Sequence, residues 1–234
     1  MLKYLFILLP IIGVSQDAIR VEYEVKQEFD RSTSKKISVK NEEILINSEN
    51  KRYYYELFVN SKNSNFEKIE RINNEQHRGT FFGLSSNIGS NIYKNFNTKE
   101  LYENSEMKPK LFIKDSIQTF PWILSKEEST ILGYNVRKAT YTNPKQTVEA
   151  WYAPDLPFRD GPSRLNGLPG LILQVKFASS FSNVTFNAID IKSYTGKIEL
   201  PNRSKKVTKE EFDQEMEKSM GKSGGMINRG VEKD

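Results

Sequence analysis

Six side chains able to hold a ligand crowd into fourteen residues: Trp151, Tyr152, Asp155, Arg159, Asp160 and Arg164. Aromatic rings offer flat apolar faces and guanidinium groups offer planar forks for carboxylates, so the set suits a peptide or a glycan. Catalytic chemistry is far more restricted. The chain has no cysteine, hence no thiol nucleophile, and its single histidine, His77, lies in the polar stretch Asn73-Asn74-Glu75-Gln76-His77-Arg78. A lone solvated histidine builds neither a histidine metal cluster nor a Ser-His-Asp triad. No catalytic residue, no metal ligand set and no cofactor motif is therefore assigned. Glu149 with Asp155 or Asp160 would serve a glycosidase if two of the carboxyls lay about 5–10 Å apart in one cleft. With 30 acidic residues in the chain, however, such pairs arise by chance.

The stretch between these residues is rich in backbone constraints. Pro154, Pro157, Pro162 and Pro169 alternate with Gly161, Gly167 and Gly170 inside 17 residues. Proline fixes φ and glycine allows φ above zero, so the spacing predicts a rigid loop with one fold. Such a loop either carries function or plugs the core. On the plug reading, Trp151, Phe158, Leu165 and Leu168 pack over an open end of a sheet, at roughly 1.5–3 kcal/mol per buried side chain. On the binding reading, the six residues above line a pocket.

The string Gly167-Leu168-Pro169-Gly170-Leu171-Ile172 resembles the signature of the GLPGLI family, exported proteins of Bacteroidota. Ala150-Trp151-Tyr152, Pro157, Gly161-Pro162, Leu173-Gln174-Val175, Trp122 and the Gly133-Tyr134 to Lys138-Ala139 block share in the resemblance, which spans residues 18 to 195. The family has no established activity or catalytic residues. What the resemblance implies is an exported, cell-envelope or secreted product; on the plug reading the string Gly167 to Ile172 is a structural motif whose Gly-Leu-Pro-Gly turn starts the strand over 171–178.

The elements that must position the loop read as strands. Residues 19–29 place Ile19, Val21, Tyr23, Val25 and Phe29 on one parity and charged residues on the other, the period of a half-buried strand. Residues 36–47 and 51–59 read as a hairpin, and 110–114, 130–141, 147–153, 171–178, 183–193 and 196–200 as further strands. Asn143-Pro144-Lys145 and Ser179 to Ser182 read as tight connections. Tyr53-Tyr54-Tyr55 reads as core packing. Between about 60 and 108 the pattern decays and no register can be assigned. Thr208 and Glu211 form a capping-box signature that starts a short helix over 208–219, before a Gly- and Ser-rich tail expected to be disordered. The fold class expected is mainly β: an antiparallel meander forming a curved sheet, sandwich or partly open barrel, with a short C-terminal helix.

Residues 1–15 read as a signal peptide: Lys3, an apolar run from Tyr4 to Val14, and a polar junction with cleavage near Ser15/Gln16. The run is shorter than the roughly 20 residues a bilayer span needs. The division expected is 1–15 signal peptide, 16–200 a single β-rich domain and 201–234 a short helix with the tail. The formal charge of +5 is scattered along the chain, which argues against nucleic acid as a partner. The expected product is an exported protein, periplasmic or extracellular and soluble after cleavage. Its expected role is a non-enzymatic binding or accessory module for an envelope protein, peptide or glycan. The rival readings are a hydrolase using paired carboxylates and an interaction domain that pairs through a sheet edge.

Overall fold

The alternation over 19–29 forms strand β1 (Ala18–Phe29), whose residues Ile19, Val21, Tyr23 and Val25 are fully buried. A computed structural model describes residues 18–31, 39–69, 91–105, 108–200, 205–215 and 217–218. The expected signal peptide, His77 and the tail beyond residue 220 lie outside the described residues.

After β1 the chain forms helix α1 (Val39–Asn50). Strands β2 (Tyr53–Asn60), β3 (Asn63–Ile69), β4 (Ile92–Asn95), β5 (Glu100–Ser105) and β6 (Lys108–Ser116) follow. Next come β7 (Ile123–Ile131), β8 (Tyr134–Asn143), β9 (Gln146–Ala153), β10 (Leu171–Ala178), β11 (Ser182–Ser193) and β12 (Lys205–Thr208). All twelve join one open sheet in the order β12-β6-β5-β4-β3-β2-β1-β11-β10-β9-β8-β7. Every neighbouring pair is antiparallel except β12 with β6, which is parallel, so the sheet is mixed and not a pure meander. Among the described residues β12 and β7 end the sheet without pairing to each other, so the sheet is open and not a closed barrel.

Helix α1 corrects the hairpin expected over 36–47. A strand there would need a free edge beside β1 or β2, and both are already paired on both sides. The segment instead turns helical with Leu45 as its buried side chain. The Glu49 carboxylate accepts a 2.9 Å hydrogen bond from the Phe29 amide. The run expected as one strand over 130–141 is two, reversed at Leu132-Gly133, where φ is 51° and 83°. These are the angles of a two-residue type I′ hairpin turn. Residues 196–200 are irregular despite their alternation. Ile198 buries against Ala18 and Tyr93, and its carbonyl accepts from Asn63 Nδ2 at 3.4 Å, so the segment packs without joining the ladder. The short C-terminal helix is present over 209–215, with the capping box closed in both directions. The Thr208 amide donates to Glu211 Oε2 at 2.9 Å and the Glu211 amide donates to Thr208 Oγ1 at 3.1 Å.

The main core gathers residues from β1 to β5 and β8 to β11. Tyr55 stacks on Phe66 at 5.0 Å between centroids, and Phe186 tilts against Tyr55 at 5.8 Å. Joined to them are Leu156, Phe158, Leu165 and Leu168, all from residues 154–170 between β9 and β10. Of the residues in the packing reading, Phe158, Leu165 and Leu168 join the core while Trp151 is only partly buried against it.

Candidate functional site

Burying a loop obliges its backbone groups to find partners. Here they find them within the loop and at the start of β10. The Leu171 amide donates to Leu156 O and the Ile172 amide to Asp160 O, both at 3.0 Å; Gly167 donates to Arg159 O at 3.0 Å. Asp160 and Asn166 form an isolated antiparallel bridge, so residues 159–167 close as a small hairpin lying under the sheet. Gly161 is required by proximity, since a Cβ there would fall 2.7 Å from Ile172 Cβ. Gly170 is required more strictly. Its φ is +154° and a Cβ would lie 2.2 Å from Ala153 O.

Two ion-pair sites tie the loop to strands five and more positions from β10 in the sheet. Lys94 of β4 is fully buried; its Nζ donates to Asp160 Oδ1 at 2.6 Å, Leu165 O at 2.9 Å and Gly161 O at 3.4 Å. All three ammonium protons are therefore directed at the loop. Burial pulls the Lys94 ammonium below its ordinary value, and the charge and hydrogen bond of Asp160 oppose that pull. The Tyr23 hydroxyl donates to Ile172 O at 2.6 Å. Burial, then the Asp160 charge, raises its pKa well above the ordinary phenol value. Arg164 reaches outward instead: Nε donates to Glu103 Oε2 at 2.8 Å, Nη2 joins the same oxygen, and Nη1 donates to Asp115 Oδ2 at 2.9 Å. A third tether runs from Trp122, whose Nε1 donates to Asn166 O at 2.9 Å.

Between this pinned loop and the strand turns lies a cleft of about 470 Å³. Asn60 and Ser61 come from the β2–β3 turn, Phe96 and Lys99 from the β4–β5 turn, and Ile117, Gln118 and Thr119 from the segment after β6. Pro157, Phe158, Arg159, Asn166 and Gly167 supply the loop wall. The volume falls within the range of small-ligand sites, and an apolar floor with a few polar groups at its rim is their usual chemistry.

The six sequence-predicted residues do not converge on this cleft. Arg159 alone lines it, held at the rim by a 2.9 Å bond from Nη2 to Gly167 O. Trp151 lies on the opposite face of β9 from buried Tyr152, with Lys138 Nζ 5.7 Å from its ring centre. Asp155 is exposed in the turn after β9. Asp160 and Arg164 are consumed by the tethers described above. The carboxyls weighed for hydrolysis are likewise separated in role: Glu149 pairs with Lys138 at 3.0 Å, Asp160 is fully enclosed with Lys94, and neither lines the cleft, nor does Asp155. Residues 167–170 precede β10, which begins at Leu171, with Gly167 at φ +92° and Gly170 at φ +154°.

The edge strand β7 is poorly shaped for pairing with a partner strand. Its register to β8 slips between Leu124 and Glu128, and Lys126, Glu127 and Glu128 stand exposed on it. Irregular register and charge are the usual guards of a free edge.

Sequence reading missed Lys94, Tyr23, Glu103, Phe96 and Lys99 as partners of the loop. Lys94 carried a signal: it shares parity with Ile92 on a strand, so it sits on an apolar face where a lysine needs a buried acid.

Solved structures described as PNGF-II in P21 and in C2 space groups share this fold. The first is 21% identical with a TM-score of 0.58, and the match covers 87% of this chain and 34% of that one. The second is 20% identical with a TM-score of 0.55, covering 85% and 32%. The chain thus spans about a third of the length of the solved structures it matches. No curated protein matches it. A family model described as "N-glycanase peptide, N-terminal domain" matches residues 91–215, the stretch that holds β4 to β12, the loop and its three tethers. With more than half of its length matched, this chain belongs to the family of N-glycanase peptide N-terminal domains.

Proposed function

We propose that the protein is an exported binding or accessory module that holds a peptide or glycan in the cleft beside residues 154–170. The observation that carries this reading is the cleft itself: about 470 Å³, floored by Phe96, Ile117 and Phe158 and walled by a loop fixed from three sides. A pre-formed wall lowers the entropy cost of binding. The family's description links the domain to an N-glycanase, which supports a glycan- or peptide-related role next to a catalytic partner. Export is supported by the signal-like residues 1–15 and by the resemblance of residues 167–172 to the GLPGLI family of Bacteroidota. No helix among the described residues is long and apolar enough to cross a membrane.

The test is saturation-transfer NMR with a panel of short peptides and N-acetylglucosamine oligosaccharides, on the wild type and on Thr119→Trp. Thr119 is exposed at the cleft, so an indole there obstructs the opening without entering the core. Signals that the wild type gives and Thr119→Trp loses support the reading. Signals that persist undiminished in the variant, or no signal from any probe, contradict it.

A further inference from the structure

We infer that the cleft is built for an anion, namely a peptide carboxylate carried next to an apolar side chain; this rests on the cleft being a binding site. Two cations line it, Lys99 and Arg159, and no carboxylate does. Arg159 is unusual in this molecule. The other five arginines among the described residues are each within salt-bridge distance of an acid: Arg20 to Glu56, Arg31 to Glu49, Arg52 to Glu24, Arg137 to Glu128 and Arg164 to Glu103. Among the described residues Arg159 has no acid within salt-bridge distance, yet its guanidinium is oriented by the bond from Nη2 to Gly167 O. An oriented, unneutralised fork at the rim of an apolar cleft matches the geometry of an incoming carboxylate.

The floor favours a peptide over an acidic sugar. Phe96, Ile117 and Phe158 present hydrocarbon, and the lining has no tryptophan, tyrosine or acid to receive a sugar's hydroxyl-rich faces. An apolar side chain buried on that floor gains from leaving water, while sugar hydroxyls facing it would lose hydrogen bonds. Asn60 Oδ1 is taken up by the Lys62 and Asn63 amides, which leaves Asn60 Nδ2 and the exposed amide of Gln118 in the lining to meet peptide groups.

The experiment is calorimetric titration of the whole protein with N-acetyl-Ala-Phe, its C-terminal amide and glucuronic acid, repeated for Arg159→Gln and Lys99→Asn. Asparagine tolerates the positive φ of 56° at Lys99, so that variant removes the charge without straining the turn. The expected result is that the acid binds about tenfold more tightly than the amide, that each variant narrows this ratio, and that salt weakens the acid alone. Equal binding of acid and amide, both lost in Thr119→Trp, overturns the anion inference and leaves the cleft reading standing. Tighter binding of glucuronic acid than of N-acetyl-Ala-Phe overturns the choice of a peptide. Absence of binding by every probe overturns the cleft reading and this inference together.

Discussion

Lys94 Nζ lies 2.6 Å from Asp160 Oδ1, and neither side chain has any exposure to solvent. This contact joins β4 to the loop before β10. In a flat sheet those strands, five positions apart, would be separated by about 24 Å at 4.8 Å per strand. A buried ion pair is a weak source of net stability, but removing one partner strands the other charge. Lys94→Ala is therefore expected to lower unfolding stability by about 3–5 kcal/mol in urea titration. Lys94→Met with Asp160→Leu recovers much of that loss, since no charge is left uncompensated. A single variant as stable as the wild type would show that the pair does not pin the loop.

The glycines separate by steric demand. Gly170→Ala forces a Cβ to within 2.2 Å of Ala153 O, a backbone atom that cannot swing away. Gly167→Ala meets nothing within 4 Å and pays only for φ of +92°, roughly 1–2 kcal/mol. The expected order of stability in thermal unfolding is wild type, then Gly167→Ala, then Gly170→Ala.

Leu132 offers a gain. It occupies the first position of the I′ turn at φ 51° with 46% of its surface exposed. Asparagine accepts that conformation more readily than leucine, so Leu132→Asn should raise stability by about 0.5–1 kcal/mol and remove an exposed apolar side chain. Chemical denaturation of the two proteins side by side measures it.

Asp115 gives a pH signature. Its carboxyl is held below the ordinary value: burial pushes the other way, and the hydrogen bonds from Arg164 and from the Ser116 amide outweigh it. A depressed folded value means that the contribution is complete above the unfolded value of about 3.9 and is lost as pH falls from there through the folded value. Asp115→Asn should flatten the acid limb of the stability curve below about pH 3.9 and leave its slope near neutrality unchanged.

The period-two strands were the legible part of the fold. Alternation over 19–29 and 147–153 identifies a buried and a wet parity because each strand has one face on the core. The string 154–170 was legible as a conformationally restricted loop, since proline and glycine act locally, while the choice between plug and pocket wall was not. Helix α1 was not, because what rejects a strand there is the saturation of β1 and β2 by their neighbours, a fact of topology. Nor was the cleft. It is assembled from the turns at 60–61 and 96–99, the segment at 117–119 and the loop, pieces that meet only once the sheet curves. Asp160 and Arg164 read as ligand-binding residues because the sequence does not show their partners: Lys94, Glu103 and Asp115 lie 66, 61 and 49 positions away.

The central claim is that the pinned loop forms one wall of a ligand cleft. Chemical-shift mapping on ¹⁵N-labelled protein, titrated with the peptide and oligosaccharide panel, tests it most directly. The account predicts that the responding amides are those of the cleft, with Ser61, Lys99, Gln118, Thr119, Arg159 and Gly167 moving together. Responses centred instead on Trp151, Lys138 and Glu149, on the far face of β9, would contradict it, as would a panel that moves no amide at all.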